Sequence, residues 1–151
     1  MFVQYAWMSL WDWNVPPLLD APASDEREAI LQVAGLLAGC PDVLDGAGFL
    51  EAVFDRQRIN PPVLGNGIAM PHARTACVGE IVFAALRLAR EVPFGGDAKP
   101  VRLVFLFGVP PHRISEYLAA TAALVKRLRD PAVMEGLLGA ETPEDFMKCL
   151  E

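Results

Sequence analysis

His72 is the residue of this sequence best suited to chemistry. The chain has 2 histidines, and this one follows Pro71 in the run GNGIAMPHAR at residues 65–74. Near neutral pH much of an imidazole is unprotonated and can act as a nitrogen nucleophile. A strand ending at Pro71 would fix the ring, and glycines such as Gly67 let backbone N–H groups approach an anion. Because phosphoryl transfer needs mainly alignment and positive charge, this setting suits a histidine that accepts a phosphoryl group.

The same residues also have a plainer interpretation. His72 would then be a histidine in a turn, hydrogen-bonded to a main-chain carbonyl, and Arg74 would be an ordinary surface arginine instead of an added positive charge. Residue types and spacing alone leave both interpretations open. The other histidine, His112, is interpreted as solvated and without function.

Apolar periodicity and helix caps predict the elements before and around His72. Asp25 and Glu28 have capping-box spacing at the start of a first helix, and a second helix begins near Asp45. Residues 61–62 are both proline and end it. An irregular segment with unusual backbone angles is expected next, followed by a short strand at residues 68–70.

The remaining elements alternate strands and helices, which predicts a single α/β domain. Strands are expected at 81–88 and 101–109, joined by a Gly/Pro-containing connection at 92–100. The strand at 101–109 is almost entirely apolar and is therefore predicted to be central in the sheet. Three helices are expected to follow it, over 118–129, 130–139 and from 142 onward.

Residues 1–20 form an aromatic segment that differs from the domain predicted at 21–151. Three tryptophans lie within the first 13 residues, and Met1–Trp11 carries no charge. The stretch is too short and too mixed to cross a bilayer, so no membrane insertion is expected. We expect it to pack on the domain or on a partner, with a homodimer as one alternative.

Composition excludes several classes of function. The formal net charge is −6 with a pI of about 4.9 and no basic run, so nucleic-acid binding is not expected, whereas a basic protein partner remains plausible on charge. The 3 cysteines show no C-x-x-C spacing and fit reduced cytosolic thiols. A metal-dependent hydrolase has little support, because two histidines without a ligand cluster make a poor metal site. No metal or organic cofactor is predicted.

The run GNGIAMPHAR resembles the signature of the fructose/mannitol-type IIA domains of the bacterial phosphoenolpyruvate-dependent sugar phosphotransferase system, which include stand-alone nitrogen-regulatory IIA proteins. The likeness extends over about residues 27–150 and includes the apolar strand ending at Val109, the following Leu-rich helix and the closing helix after Thr142. It implies a mixed central β-sheet flanked by helices, as in mannitol and fructose IIA domains.

The resemblance also implies roles for particular residues. His72 would accept phosphate from the histidine carrier HPr, and Arg56, sixteen residues earlier, would hold the phosphohistidine. A guanidinium suits this role because it grips phosphate oxygens bidentately. Gly67 and Arg74 would add to phosphate binding, and Asn66 would line the site.

Three positions depart from the family pattern. Tyr117 stands where the family usually has a second histidine, and a tyrosine, with a pKa near 10, cannot supply a positive charge at pH 7. Pro62 replaces a common hydroxyl residue, and Gln57 replaces the glutamate of a common Arg-Glu pair. These changes put the efficiency of transfer in question more than its possibility, because the nucleophile is retained.

The sequence therefore predicts a cytoplasmic phosphotransferase component, phosphorylated on His72 by an HPr-like donor, with Tyr117 lining the site. The recipient would be a permease domain or a regulatory protein. Because the chain ends shortly after the domain, a regulatory member is favoured over a sugar carrier. The alternative function is a phosphorylation-deficient binding module that docks on a partner protein, which the changes at 57, 62 and 117 favour.

Overall fold

The structure is a computed structural model that describes residues 13–59 and 63–151. These residues form a mixed sheet flanked by helices on both faces, which confirms the predicted fold class. The strands are β1 Leu18–Ala21, β2 Val63–Gly65, β3 Ile68–Ala69, β4 His72–Arg74, β5 Val82–Phe94 and β6 Lys99–Val109. The helices are α1 Glu26–Gly35, α2 Gly46–Ile59, α3 Ile114–Leu128, α4 Pro131–Gly139 and α5 Pro143–Cys149, with a 3₁₀ turn over Pro111–Arg113.

Strand β6 is central, as its apolar sequence predicted. The strand order is β1-β5-β6-β3-β2, and β4 also pairs with β6 beyond the end of β3. Strands β5 and β6 run antiparallel, whereas β3 and β4 run parallel to β6. Alternate side chains of β6 enter two cores: Val104 and Leu106 pack in one, Phe105 and Phe107 in the other. Both faces of the sheet are therefore buried.

The segment predicted as irregular is a β-hairpin between β2 and β3. Gly65 pairs with Ile68, which leaves Asn66 and Gly67 as a two-residue loop. Both loop residues have positive φ, 55° and 78°, the signature of a type I′ turn. Asn-Gly is the dipeptide that favours this turn, so the sequence carried a hairpin signal that the prediction did not use.

The connection expected over residues 92–100 is largely strand. Strand β5 continues to Phe94, β6 begins at Lys99, and the pairing register shifts between Arg87 and Val92. Such an irregularity bends a strand without ending it. The turn itself is short, and Gly95 and Ala98 have positive φ there, 75° and 51°.

The predicted boundary between residues 20 and 21 falls inside β1, which pairs parallel with β5. Just before it, Trp13 packs edge-on against Phe83 with ring centroids 4.8 Å apart. Asn14 Oδ1 accepts a 2.7 Å hydrogen bond from the Phe83 backbone N–H. Residues 13–20 thus belong to the packed domain, whereas the expectation for Met1–Trp11 lies outside the described residues. No helix within the described ranges is long and apolar enough to cross a membrane.

Candidate functional site

Three elements bring the predicted site residues to one cleft at the end of the sheet. His72 begins β4, opposite Phe107 of β6. Arg56 lies in the last turn of α2, and Tyr117 in the first turn of α3. All three line a cleft of about 540 Å³, together with Arg74. The remaining lining residues are mostly apolar: Ala52, Asp55, Ile59, Ala73, Val109, Ile114 and Leu118.

Gly108 allows α2 to lie close enough to the sheet to build this cleft. A Cβ at residue 108 would be 2.7 Å from Val82 Cγ2 and 2.8 Å from Phe49 Cε1, closer than real Cβ atoms come. Phe49 is buried on α2, and Arg56 follows it by seven residues, two helical turns later on the same face. The contact at Gly108 therefore determines how closely Arg56 can approach β4.

The His72 ring is held by one hydrogen bond that also determines its tautomer. Nδ1 lies 3.1 Å from the Met70 carbonyl oxygen. A carbonyl only accepts, so Nδ1 carries the proton and the lone pair is on Nε2. This is the hydrogen bond expected if His72 were simply a turn histidine, yet it leaves Nε2 as the nucleophilic nitrogen. Burial lowers the pKa of His72; the Met70 hydrogen bond raises it, and the Arg56 charge adds to the lowering.

The two arginines of the cleft reach it from different elements. Arg56 lines the same cleft as His72 and Tyr117, and its charge acts to lower the pKa of both side chains. Arg74 is exposed and follows His72 by two residues on β4, so its side chain leaves the strand on the same face. Asp55 also lines the cleft, and its carboxylate pairs with Arg58.

Tyr117 packs directly beside the imidazole. Its ring centroid is 5.7 Å from that of His72 and 5.5 Å from that of Phe107, which it meets edge-on. Burial raises the pKa of Tyr117 to about 12, although the Arg56 charge opposes this rise. The phenol therefore stays protonated and neutral at physiological pH.

A second cleft of about 460 Å³ shares His72, Tyr117 and Leu118 with the first and extends along α3. Its other lining residues are Leu64, Met70, Thr121, Ala122, Val125 and Arg129. Large apolar side chains lie exposed around both clefts: Ile59 is 82% exposed, Leu118 58% and Leu64 46%. Their exposure cannot be predicted from the sequence, because apolar periodicity indicates one face of an element but not whether another element covers it.

The structure does not bring Asn66 and Gly67 into either cleft. Ile68 pairs with Leu103 and His72 with Phe107, four residues further along β6, or roughly 13 Å at strand rise. The two residues form the hairpin turn, and the Gly67 carbonyl accepts from the backbone N–H groups of residues 102 and 103. The hairpin turn alone is sufficient reason for Asn66 and Gly67 to occur in the run GNGIAMPHAR, with no contact to phosphate required.

The other positions noted from sequence lie at the margins of the site. His112 is exposed in the 3₁₀ turn, with Nε2 3.8 Å from a Glu80 carboxylate oxygen. Gln57 is buried behind Arg56 and donates a 2.7 Å hydrogen bond to Glu26. Pro62 lies outside the described residues. Within residues 13–59 and 63–151, no group of three or more His, Cys, Asp or Glu side chains could hold a metal ion.

Comparison with known proteins gives consistent relatives. Residues 18–151 match the family model described as "Phosphoenolpyruvate-dependent sugar phosphotransferase system, EIIA 2". The chain is 32% identical over 136 residues to the "PTS system 2-O-alpha-mannosyl-D-glycerate-specific EIIABC component" of Escherichia coli K12, covering 88% of this chain but only 21% of that protein. It is 29% identical to the "Nitrogen regulatory protein" of Pseudomonas aeruginosa, covering 84% and 83% of the two chains.

A solved structure resembles this one closely. The nitrogen regulatory protein IIA-Ntr of Neisseria meningitidis superposes with a TM-score of 0.82 at 27% identity, covering 90% of this chain and 93% of that chain.

Proposed function

Because the chain belongs to the EIIA 2 family of the phosphoenolpyruvate-dependent sugar phosphotransferase system, and so is a phosphotransferase component, we propose that it carries the phosphoryl group on Nε2 of His72. The donor is an HPr-like phosphohistidine carrier, and the reaction takes place in the cytoplasm. The observation that carries the assignment is the Nδ1 contact with the Met70 carbonyl, because it leaves the Nε2 lone pair available in a cleft beside Arg56.

The phosphoryl transfer requires only the residues of the cleft and the phosphohistidine of the donor. The Nε2 lone pair attacks the phosphorus of the donor's phosphohistidine, a P–N bond forms on His72, and the donor's P–N bond breaks with its electron pair returning to the donor nitrogen. Nδ1 keeps its proton throughout, since the Met70 carbonyl holds it. The phosphorylated ring then carries positive charge, and the same carbonyl stabilises it.

Arg56 supplies the charge that the moving phosphoryl group requires. A guanidinium grips phosphoryl oxygens bidentately, and a charge-assisted hydrogen bond contributes about 1.5–3 kcal/mol. Tyr117 is neutral and offers its ring as a wall and its hydroxyl as a hydrogen-bond donor. Arg74 adds a second positive charge at the mouth of the cleft.

We favour a regulatory output over a dedicated sugar carrier. The support is the similarity to a nitrogen regulatory protein over most of both chains and the TM-score of 0.82 with a IIA-Ntr structure. Sugar-specific relatives also match, including a fructose-specific EIIA component of Haloferax volcanii at 31% identity. The recipient of the phosphoryl group is accordingly a regulatory protein or a permease domain.

The second candidate is a binding module that is no longer phosphorylated. The replacement of the family's second histidine by a tyrosine favours it, because Tyr117 cannot add positive charge. The module would dock through the same cleft and its exposed apolar margin.

The two candidates separate in a labelling experiment. The purified protein is incubated with phosphoenolpyruvate, the general phosphotransferase enzyme and the cognate HPr-like carrier, and its intact mass is measured. We expect one acid-labile phosphoryl group on the unchanged protein and on His112→Ala, and none on His72→Ala. Labelling that persists in His72→Ala would rule out the site. A folded protein that is never labelled would establish the binding module.

A further inference from the structure

A single carboxylate, that of Glu26, joins three elements beside the end of α2. Glu26 is the first residue of α1, and its Oε2 accepts a 2.7 Å hydrogen bond from Gln57 Nε2 of α2. Its Oε1 accepts a 2.8 Å hydrogen bond from the backbone N–H of Gly95, in the turn between β5 and β6. The carboxylate therefore ties α1, α2 and this turn together through charge-assisted hydrogen bonds, which are stronger than those between neutral groups.

Gln57 is a polar residue on the buried face of α2. The buried residues of this helix are Phe49, Val53 and Gln57, spaced four apart, so the amide continues a stripe that is otherwise apolar. Gln57 is 5% exposed, and its Oε1 is buried with no hydrogen-bond partner among the described residues. Burying an amide without hydrogen bonds is unfavourable, so the contact with Glu26 is the one that offsets the burial of Gln57.

The hairpin of β5 and β6 reaches Glu26 because β5 is irregular. The pairing register shifts between Arg87 and Val92, and such an irregularity bends a strand. Beyond it, Phe94 is buried in the same core as residues of α1 and α2. Gly95 follows with a φ of 75°, which a glycine adopts without strain. Buried packing thus fixes the position of the second group that binds Glu26.

Arg56 immediately precedes Gln57 in the last turn of α2, and it lines the cleft with His72. Two turns earlier, the same helix contacts the sheet through Phe49 at Gly108. Helix ends fray unless they are held. The hydrogen bond from Gln57 gives α2 a second fixed point at its end, so both the distance of the helix from β4 and its rotation are determined where Arg56 leaves it.

We propose that Glu26 is a positioning residue for phosphoryl transfer: by binding Gln57 it holds the last turn of α2, and with it Arg56, beside the reacting imidazole. The inference rests on the proposed function, because Arg56 acts there on the phosphoryl group. It also gives the glutamine at residue 57 a local reason. A glutamate there would place two carboxylates within hydrogen-bond distance, where like charges oppose each other.

Exchange of the two side chains tests the pair. In Gln57→Glu two carboxylates meet, and we expect the kcat of His72 labelling by the phosphorylated carrier to fall roughly tenfold, because a small displacement of a catalytic group slows transfer strongly. The KM for the carrier should change little. The double variant Glu26→Gln/Gln57→Glu restores the hydrogen bond with donor and acceptor reversed, and the amide oxygen at residue 26 can still accept from Gly95. It should recover most of the lost rate.

Glu26→Ala tests the same contact without adding a buried charge, so it decides the matter if Gln57→Glu fails to fold. It should also lower kcat. Glu28→Ala is the matched control, because it removes a carboxylate from the same turn of α1, one that accepts from Ser24 instead of α2. The control should lower stability to urea and leave kcat unchanged. Equal kcat values for Glu26→Ala and Glu28→Ala, or a folded double variant as slow as Gln57→Glu, would overturn the proposal.

The NMR titration of His72 separates this result from failure of the proposed function, because it needs no phosphoryl transfer. Burial lowers the pKa of His72 most, and the Arg56 charge adds to the lowering. Loss of the Glu26 contact should therefore raise the titration midpoint of the ring. Removing a carboxylate has the opposite effect by itself, since a negative charge favours the imidazolium, and Glu28→Ala should show only that effect.

The two results have separate meanings. A raised midpoint in Glu26→Ala, together with an unchanged protein that is never labelled at saturating carrier, would support the positioning of Arg56 and overturn the proposed function. An unchanged or lowered midpoint in Glu26→Ala would overturn the positioning role, whatever the labelling of His72.

Discussion

At the scale of the residue, His72 is an imidazole adjusted to stay neutral. Its burial and the nearby Arg56 charge both lower the pKa, and the Met70 carbonyl only partly opposes them. A neutral ring retains the Nε2 lone pair, so a lowered pKa extends nucleophilic reactivity toward acidic pH. The same arginine that holds a phosphoryl group thus also helps keep the acceptor unprotonated.

The titration of His72 tests this arrangement. We expect the ring resonances of His72 to titrate with a midpoint below 6.5, because the folded site disfavours the imidazolium. Arg56→Gln should move the midpoint upward, but only part of the way, since burial is the larger cause. The measurement is a proton–nitrogen NMR titration, with His112→Ala used to assign the two rings. A midpoint at or above 6.5 in the unchanged protein would contradict the account.

A second prediction at this scale concerns the effect of Tyr117 on the rate of phosphoryl transfer. Because its pKa is about 12, the phenol cannot provide the positive charge that a protonated imidazole would. Tyr117→His should therefore speed phosphorylation of His72 by the cognate carrier, most clearly below pH 6.5. Tyr117→Phe is the matched control, since it removes the hydroxyl without adding a charge, and it should not speed transfer. An unchanged or slower rate in Tyr117→His would show that the tyrosine does not limit transfer.

At the scale of the element, the site depends on how closely α2 packs on the sheet. Helix α2 lies over β6 and β4 through the Phe49 contact at Gly108, and α3 presents Tyr117 from the other side. Strand β4 pairs in parallel over three residues with β6, so the His72 backbone is held against the central strand of the sheet. The sheet holds His72, whereas Arg56 and Tyr117 come from two separate helices.

Gly108→Ala should weaken both the fold and the transfer. The new methyl group would meet Val82 and Phe49 at less than 3 Å, so α2 must shift, and overpacking of this kind costs about 1–3 kcal/mol. Gly96→Ala is the control, because nothing lies within 4 Å of its Cβ position. Urea unfolding and the rate of His72 labelling measure the two effects. Equal stability of the two variants would contradict the packing role assigned to Gly108.

Local signals in the sequence predicted the starts of α1, α4 and α5 correctly, whereas α3 begins at Ile114, four residues before the expected 118. The side chains of Asp25, Asp130 and Thr142 cap α1, α4 and α5 by accepting backbone hydrogen bonds, as their spacing indicated. A cap involves only neighbouring residues, so it can be read from sequence alone. The Asn66-Gly67 dipeptide is also a local signal, for a hairpin turn, but an irregular segment was expected at this position.

At the scale of the whole molecule, the other features that the sequence did not predict depend on distant contacts. In the sequence, the charged Arg87 interrupts an apolar strand. In the structure it is buried, and its guanidinium donates hydrogen bonds to the carbonyls of Leu137 and Ala140 at the end of α4. The length of β5 depends on an irregularity that only its pairing with β6 reveals. The cleft residues Arg56 and Tyr117 were predicted through family resemblance, because no spacing rule connects α2, β4 and α3.

Charge shows the same dependence on scale. The composition alone describes an acidic protein, and it pointed to a basic partner. The fold places Arg74 and Arg129 in the clefts beside His72, where Asp55 is the acidic residue among those that line them. The net charge therefore does not describe the charge of each part of the surface, which depends on how the residues are arranged in space.

Under the proposed function, Nε2 of His72 carries the phosphoryl group while Nδ1 keeps its proton. The most direct test is a long-range proton–nitrogen NMR spectrum of the phosphorylated protein, with nitrogen-15 in its 2 histidines. We expect one shifted ring, that of His72, with phosphorus coupling on Nε2 and a protonated Nδ1. Phosphorus coupled to Nδ1, or to the His112 ring, would contradict it.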